Sequence, residues 1–163
     1  MSKHVEIHIA ELFVGNEEYL ITTNGVGSCV VIVLYDKLMR IGGMAHTILP
    51  KRRNQDDGDV FQHDREGRFF VKYVDQAIEV LLAEMQMLGA ASEHIVAKLV
   101  GGAHMFTLLS GDDHGVGWEN TQIAREELSR IGIPIETEVV GGAVGRNVRF
   151  DCSTGIVEIT TKV

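Results

Sequence analysis

Polar and apolar residues alternate from His4 to Ile9, and extended over residues 4 to 14 this pattern predicts a half-buried strand. A second short strand is expected over Tyr19 to Thr22, followed by the loop-forming stretch Asn24-Gly25-Val26-Gly27-Ser28. Cys29-Val30-Val31-Ile32-Val33-Leu34-Tyr35 is short, β-branched and apolar on both faces, which predicts a central buried strand. Asp36 to Met39 reads as a turn, and Arg40 to Leu49 as the returning strand. Residues 51 to 67 are polar and carry Gly58 and Gly67, the pattern of a long surface loop that could serve as a lid.

From Phe69 to Leu88 the period changes. Phe70, Val74, Ala77, Ile78, Leu81, Leu82, Met85 and Leu88 recur at helical spacing, with Lys72, Asp75, Gln76, Glu79 and Gln86 on the other face and Gly89 as the stop. Ile95 to Val100 predicts a strand and Trp118 to Ile131 a second helix closed by Gly132. Ile135 to Val140 predicts another strand, and Arg146 to Asp151 with Ile156 to Lys162 a closing hairpin around Ser153-Thr154-Gly155. Gly101-Gly102-Ala103 and Gly141-Gly142-Ala143 hint at two similar strand ends. Early clustered strands with few helices favour an α+β sheet protein over a doubly wound parallel sheet. No linker interrupts the chain, so residues 1–163 read as one domain.

Composition narrows the function classes. The 163 residues are 45% hydrophobic and 23% charged, a globular balance with enough chain for a sizeable core. The formal charge of −8 argues against a nucleic-acid partner. The basic cluster Lys51-Arg52-Arg53, followed by Asp56, Asp57 and Asp59, reads as a solvated loop. No apolar run is long enough to span a membrane and the start lacks a signal-peptide pattern, so a cytosolic location is expected. There is no Walker loop, no third glycine of a dinucleotide fingerprint, no zincin histidine pair and no Cys-x-x-Cys. His4 and His8, on one strand face, would stand about 13 Å apart, too far to share a metal. His63, His94, His104 and His114 are expected to face solvent.

Two thiols remain, Cys29 and Cys152, which a cytosolic compartment would keep reduced. Cys29 stands where a glycine-rich loop enters an apolar strand, where free backbone N–H groups can stabilise a thiolate or an oxyanion. The alternative is a small buried hydrophobe, which is what most cytosolic cysteines are. A hairpin of strands 29–35 and 40–49 turning at Lys37-Leu38 would set Cys29 directly opposite His46, close enough for a thiol–imidazole pair. A histidine satisfied by a backbone carbonyl is the alternative for His46. Cys152, beside the Ser153-Thr154-Gly155 turn, has no histidine nearby in sequence.

Gly27-Ser28-Cys29-Val30, Gly43-Met44-Ala45-His46 through Leu49-Pro50, and Tyr73-Val74-Asp75-Gln76-Ala77 together resemble the CheD chemoreceptor glutamine deamidases. So do the run from Ala97 to Phe106, Gly117-Trp118-Glu119-Asn120, and Gly141-Gly142 with Arg146-Asn147-Val148. The resemblance implies a cysteine hydrolase related to the deamidating bacterial toxins, folded as an α+β layered sandwich of two packed β-sheets flanked by helices. It implies Cys29 as nucleophile, His46 as base and Thr23 as third catalytic member. Thr23 by itself reads as a turn residue. The implied reaction converts receptor glutamines to glutamate through a thioester, with no metal or organic cofactor. Chemoreceptor cytoplasmic domains are the implied substrate and a CheC-type phosphatase a possible partner. A non-catalytic adaptor for that phosphatase and a receptor methylesterase using the same thiol are the rival readings. The departure from the family pattern is the longer, more charged loop at residues 51–67.

Overall fold

The computed structural model describes residues 2–52, 60–62, 64–104 and 115–162. Eleven strands and two α-helices are formed among them, in three layers. A four-stranded sheet has the order β1-β3-β10-β11, from Lys3–Glu6 (β1), Tyr19–Val26 (β3), Gly145–Asp151 (β10) and Ile156–Lys162 (β11). A seven-stranded sheet has the order β6-β7-β2-β5-β4-β8-β9. Its strands are Phe61–Gln62 (β6), Phe69–Phe70 (β7), Glu11–Gly15 (β2), Ile41–Thr47 (β5), Val30–Asp36 (β4), Ile95–Gly101 (β8) and Ile135–Val140 (β9). Helices α1 (Val74–Met87) and α2 (Val116–Ile131) cover the outer face of the larger sheet.

The apolar run of β4 is explained by this layering. Val30, Ile32 and Leu34 face α1 and α2, whereas Val31, Val33 and Tyr35 face the four-stranded sheet, so both pleat faces are buried. The α+β layered sandwich expected from the resemblance is the architecture found.

Three local expectations are corrected. Residues 4 to 14 form two strands in different sheets, because Ala10 takes a left-handed φ of 68° and the chain crosses between layers there. The alternation runs on regardless because Val5, Ile7 and Phe13 all face the one core between the sheets. The first helix begins at Val74 rather than Phe69, since Phe69 and Phe70 pair with Leu12 and Glu11 at the open edge of β2. Arg52 is half-buried rather than solvated, with its guanidinium against Asp75 (3.4 Å) and Glu79 (3.3 Å). Much of the proposed lid, at 53–59 and 63, lies outside the described residues, as do His63 and His114. His94 is exposed as expected, and His104 is half-buried.

The paired Gly-Gly motifs have a geometric meaning. β8 and β9 are adjacent and parallel, with Gly101 aligned to Val140, and the Gly141 N–H donates to the Gly101 carbonyl at 2.9 Å. Both glycine pairs therefore lie at one end of the larger sheet, beside the start of β4.

Candidate active site

The β4–β5 hairpin turns through four residues, not two. Asp36 is fully buried, and its carboxylate accepts N–H groups from Leu38 (2.9 Å), Met39 (3.0 Å) and Ala91 (2.9 Å). Burial pushes this carboxyl up, but the three backbone donors outweigh burial and hold it below its ordinary range. Lys37 to Arg40 then loop out, with Arg40 at a left-handed φ of 53°. The register consequently differs from that expected: His46 stands opposite Val31, and Val30 opposite Thr47. The displacement is an even number of residues, so the face is preserved. Odd positions of β4 point between the sheets, as does His46, and Cys29 is the next odd position beyond Val31. Cys29 itself lies in the bend just before β4, outside the paired register, so the directly opposed pair expected from the shorter turn is not formed.

His46 is fully buried where the two sheets meet. Its Nδ1 lies 2.7 Å from Oγ1 of Thr23, which is also fully buried and comes from β3 of the other sheet. Thr23 is aimed there beside a β-bulge. β10 opposes Thr23 with Val148 and Val26 with Arg146, so Asn24 and Gly25 together face Asn147. Gly25 adopts φ 68° at the bulge, and its N–H donates to Oδ1 of Asn147 at 3.0 Å. The bulge turns both Thr23 and Val26 inward despite their odd spacing. The Nε2 of His46 has no hydrogen-bond partner among the described residues. Thr23 and His46 are therefore brought into contact, while no hydrogen bond joins Cys29 to the imidazole.

Burial, with a smaller contribution from nearby His8, pushes His46 down to about 4. Burial likewise pushes the Cys29 thiol up, against a weaker opposing pull from its own backbone N–H. The resting pair is thus neutral thiol and neutral imidazole, contrary to the depressed thiol expected from a glycine-rich junction. Cys152 is fully buried, and its thiol is pushed up to about 12 by burial and by Asp151. It is the inert thiol of the two.

The Cys29 loop is held from three directions. The Gly27 carbonyl accepts the Ala103 N–H (2.9 Å), and the Cys29 carbonyl accepts the Gly102 N–H (2.8 Å). The Ser28 carbonyl accepts Nδ2 of Asn120 at 3.1 Å. Gly101 has φ 115°, and a Cβ there would strike the Cys29 carbonyl and Val26. Gly102 has φ 59°, and a Cβ there would strike the Thr121 hydroxyl and the Gly117 carbonyl on α2. Arg146 of the smaller sheet donates to the carbonyls of Gly101 (3.2 Å) and Gly141 (2.9 Å). Asn120 and Arg146 have no assigned role in the sequence reading beyond their place in the matching blocks. Asn120 and Thr121 are the polar positions on the inward face of α2, and an amide there was the available signal for Asn120. Among the described residues, no group of three or more His, Cys, Asp or Glu side chains is placed to hold a metal ion.

Residues 48–161 match the family model described as CheD chemotactic sensory transduction. The chain is 39% identical over 155 residues to the probable chemoreceptor glutamine deamidase CheD of Thermococcus kodakarensis, covering 95% of this chain and 91% of that protein. It is 41% identical to the probable deamidase of the same name from Moorella thermoacetica, covering 98% and 91%. It is 35% identical to the chemoreceptor glutamine deamidase CheD of Halalkalibacterium halodurans, covering 99% and 95%. Matched along nearly its whole length by relatives at this level, and by the family model over most of it, the chain belongs to the CheD chemotactic sensory transduction family.

Proposed function

We propose that the protein hydrolyses glutamine side chains of chemoreceptors to glutamate, with Cys29 as nucleophile, His46 as general base and Thr23 orienting the imidazole. The observation that carries this reading is the buried Thr23–His46 hydrogen bond, which leaves Nε2 bare on the sheet face that leads to Cys29. For Nε2 to accept a proton, the Nδ1–H must donate to Oγ1 of Thr23, and in that role the hydroxyl accepts and orients the imidazole. The names of the relatives supply the substrate class.

With both groups neutral at rest, proton transfer accompanies attack. His46 takes the Cys29 proton as sulfur adds to the carboxamide carbon, and the carbonyl oxygen becomes an oxyanion. Backbone N–H groups of the Gly27 to Cys29 loop are its proposed donors. Collapse breaks the C–N bond, the imidazolium returns its proton to the leaving nitrogen, and ammonia departs. Water, deprotonated by His46, then cleaves the thioester to glutamate and restores the thiol. Action on the cytoplasmic part of the receptors, and association with a CheC-type phosphatase, belong to the same reading.

The test is mass spectrometry of a receptor cytoplasmic fragment incubated with the protein. Each converted glutamine gains about 1 Da, and Cys29→Ala abolishes the gain because no thioester can form. Cys29→Ala retains the fold and any phosphatase binding. Full activity in Cys29→Ala would remove the thiol from the mechanism.

A further inference from the structure

Asn120 is fully buried on α2, a helix whose other inward residues are Gly117, Thr121, Ala124 and Leu128. Its Nδ2 donates to two carbonyls, Ser28 at 3.1 Å and Ile48 at 3.3 Å. Both acceptors can only accept, so the amide orientation is fixed by chemistry. Its Oδ1 is buried with no partner among the described residues, a cost that packing alone gives no reason to bear. The two carbonyls flank the site. Ser28 precedes Cys29, and Ile48 lies just past Thr47, where the β4–β5 ladder ends.

A trans peptide is planar, with its C=O and N–H pointing in opposite directions. The Ser28 carbonyl and the Cys29 N–H belong to one such plane. Anchoring the carbonyl on Asn120 therefore aims the Cys29 N–H the other way, away from α2. We propose that Asn120 is a positioning residue of the site: by holding the Ser28–Cys29 peptide plane, it points the nucleophile's own N–H at the sulfur and at the oxyanion forming beside it. The bond to Ile48 ties that plane to the strand end that carries His46. The inference rests on Cys29 being the nucleophile.

Three variants test it. Asn120→Asp keeps the shape and removes the donors at neutral pH, Asn120→Ala removes both, and Asn120→Ser is a small polar substitute should either fail to fold. Each is assayed below its own melting temperature. The expected result is a fall in kcat for deamidation of about 10²-fold, the scale of losing one oxyanion donor, with KM within about threefold. The pH midpoint for Cys29 alkylation by iodoacetamide also moves up, since a thiolate-stabilising N–H is no longer held in place. Leu128→Ala disturbs the same helix two turns further on, away from the Ser28–Cys29 peptide, and leaves both readouts near wild type. A merely structural role for Asn120 would lower the melting temperature without moving the alkylation midpoint. A folded variant with unchanged kcat and midpoint overturns the proposal, as does a raised KM with unchanged kcat. If wild type fails to deamidate a receptor fragment, the functional reading falls, while the alkylation midpoint still decides whether Asn120 aims the N–H.

Discussion

His46 keeps one ring nitrogen on Thr23 and the other bare in a dry setting, and its titration follows from that. Because the folded state holds it down to about 4 against an ordinary 6.5, the unfolded chain takes up the proton first as pH falls. The associated stability is complete above about pH 6.5 and is lost as pH falls towards 4. It amounts to on the order of 3 kcal/mol. Urea midpoints at pH 7 and 4.5 should show this loss in wild type and a shallower one in His46→Gln. Equal pH slopes would assign the acid sensitivity to other groups. With His46 as the proposed base, the same displacement puts the acid limb of kcat/KM well below 6.5, because the imidazole stays neutral down to that point. At this scale the thiol and the histidine were legible in the residues themselves. The Thr23–His46 contact was not, because it crosses between sheets and depends on a bulge at Asn24-Gly25 that local pattern does not specify.

At the scale of elements, the strand end at Gly101-Gly102 is where β4, β8 and α2 meet. Both residues have positive φ, and at each an added methyl group would meet backbone or a hydroxyl. Gly101→Ala should therefore cost about 1–3 kcal/mol from backbone conformation alone. It should lower activity further than that stability loss explains, because the displaced atom is the Cys29 carbonyl. Urea denaturation and the deamidation rate, measured on the same preparation, separate the two effects, and proportional losses would confine the glycine to a folding role. Most elements could be read from periodicity: β4, β8, β9, the closing hairpin and the body of α1 fall close to where the pattern sets them. The exceptions share a cause. Residues 4 to 14 and Phe69-Phe70 keep a consistent apolar period while the chain changes layer or partner, and periodicity records burial rather than pairing. The hairpin register was displaced for a related reason. Asp36 closes the turn with its side chain, so the loop is wider than the shortest that the spacing allows.

Across the whole molecule, the two sheets are joined by an apolar core and by a few polar ties. Besides Thr23 with His46, Tyr35 donates to the Cys152 carbonyl at 2.9 Å, Lys98 to the Gly155 carbonyl at 3.0 Å, and Arg146 to Gly101 and Gly141. The smaller sheet is stitched from both ends of the chain, since β3 has only β1 and β10 as neighbours. That arrangement has a consequence for biosynthesis. A ribosome emits the thiol, the imidazole and the threonine before α1, yet the strand that buttresses Thr23 leaves the exit tunnel only after α2 and β9. Long-range pairing of this kind forms late, after the loop-closure cost has been met. Chains arrested with residues 145–163 still inside the tunnel should leave a receptor fragment unmodified. Chains arrested after a linker that frees those residues should deamidate it. Equal mass gains from the two would mean that the catalytic centre is complete without β10 and β11; otherwise a half-made enzyme is silent, and the emergence of those strands is its first switch.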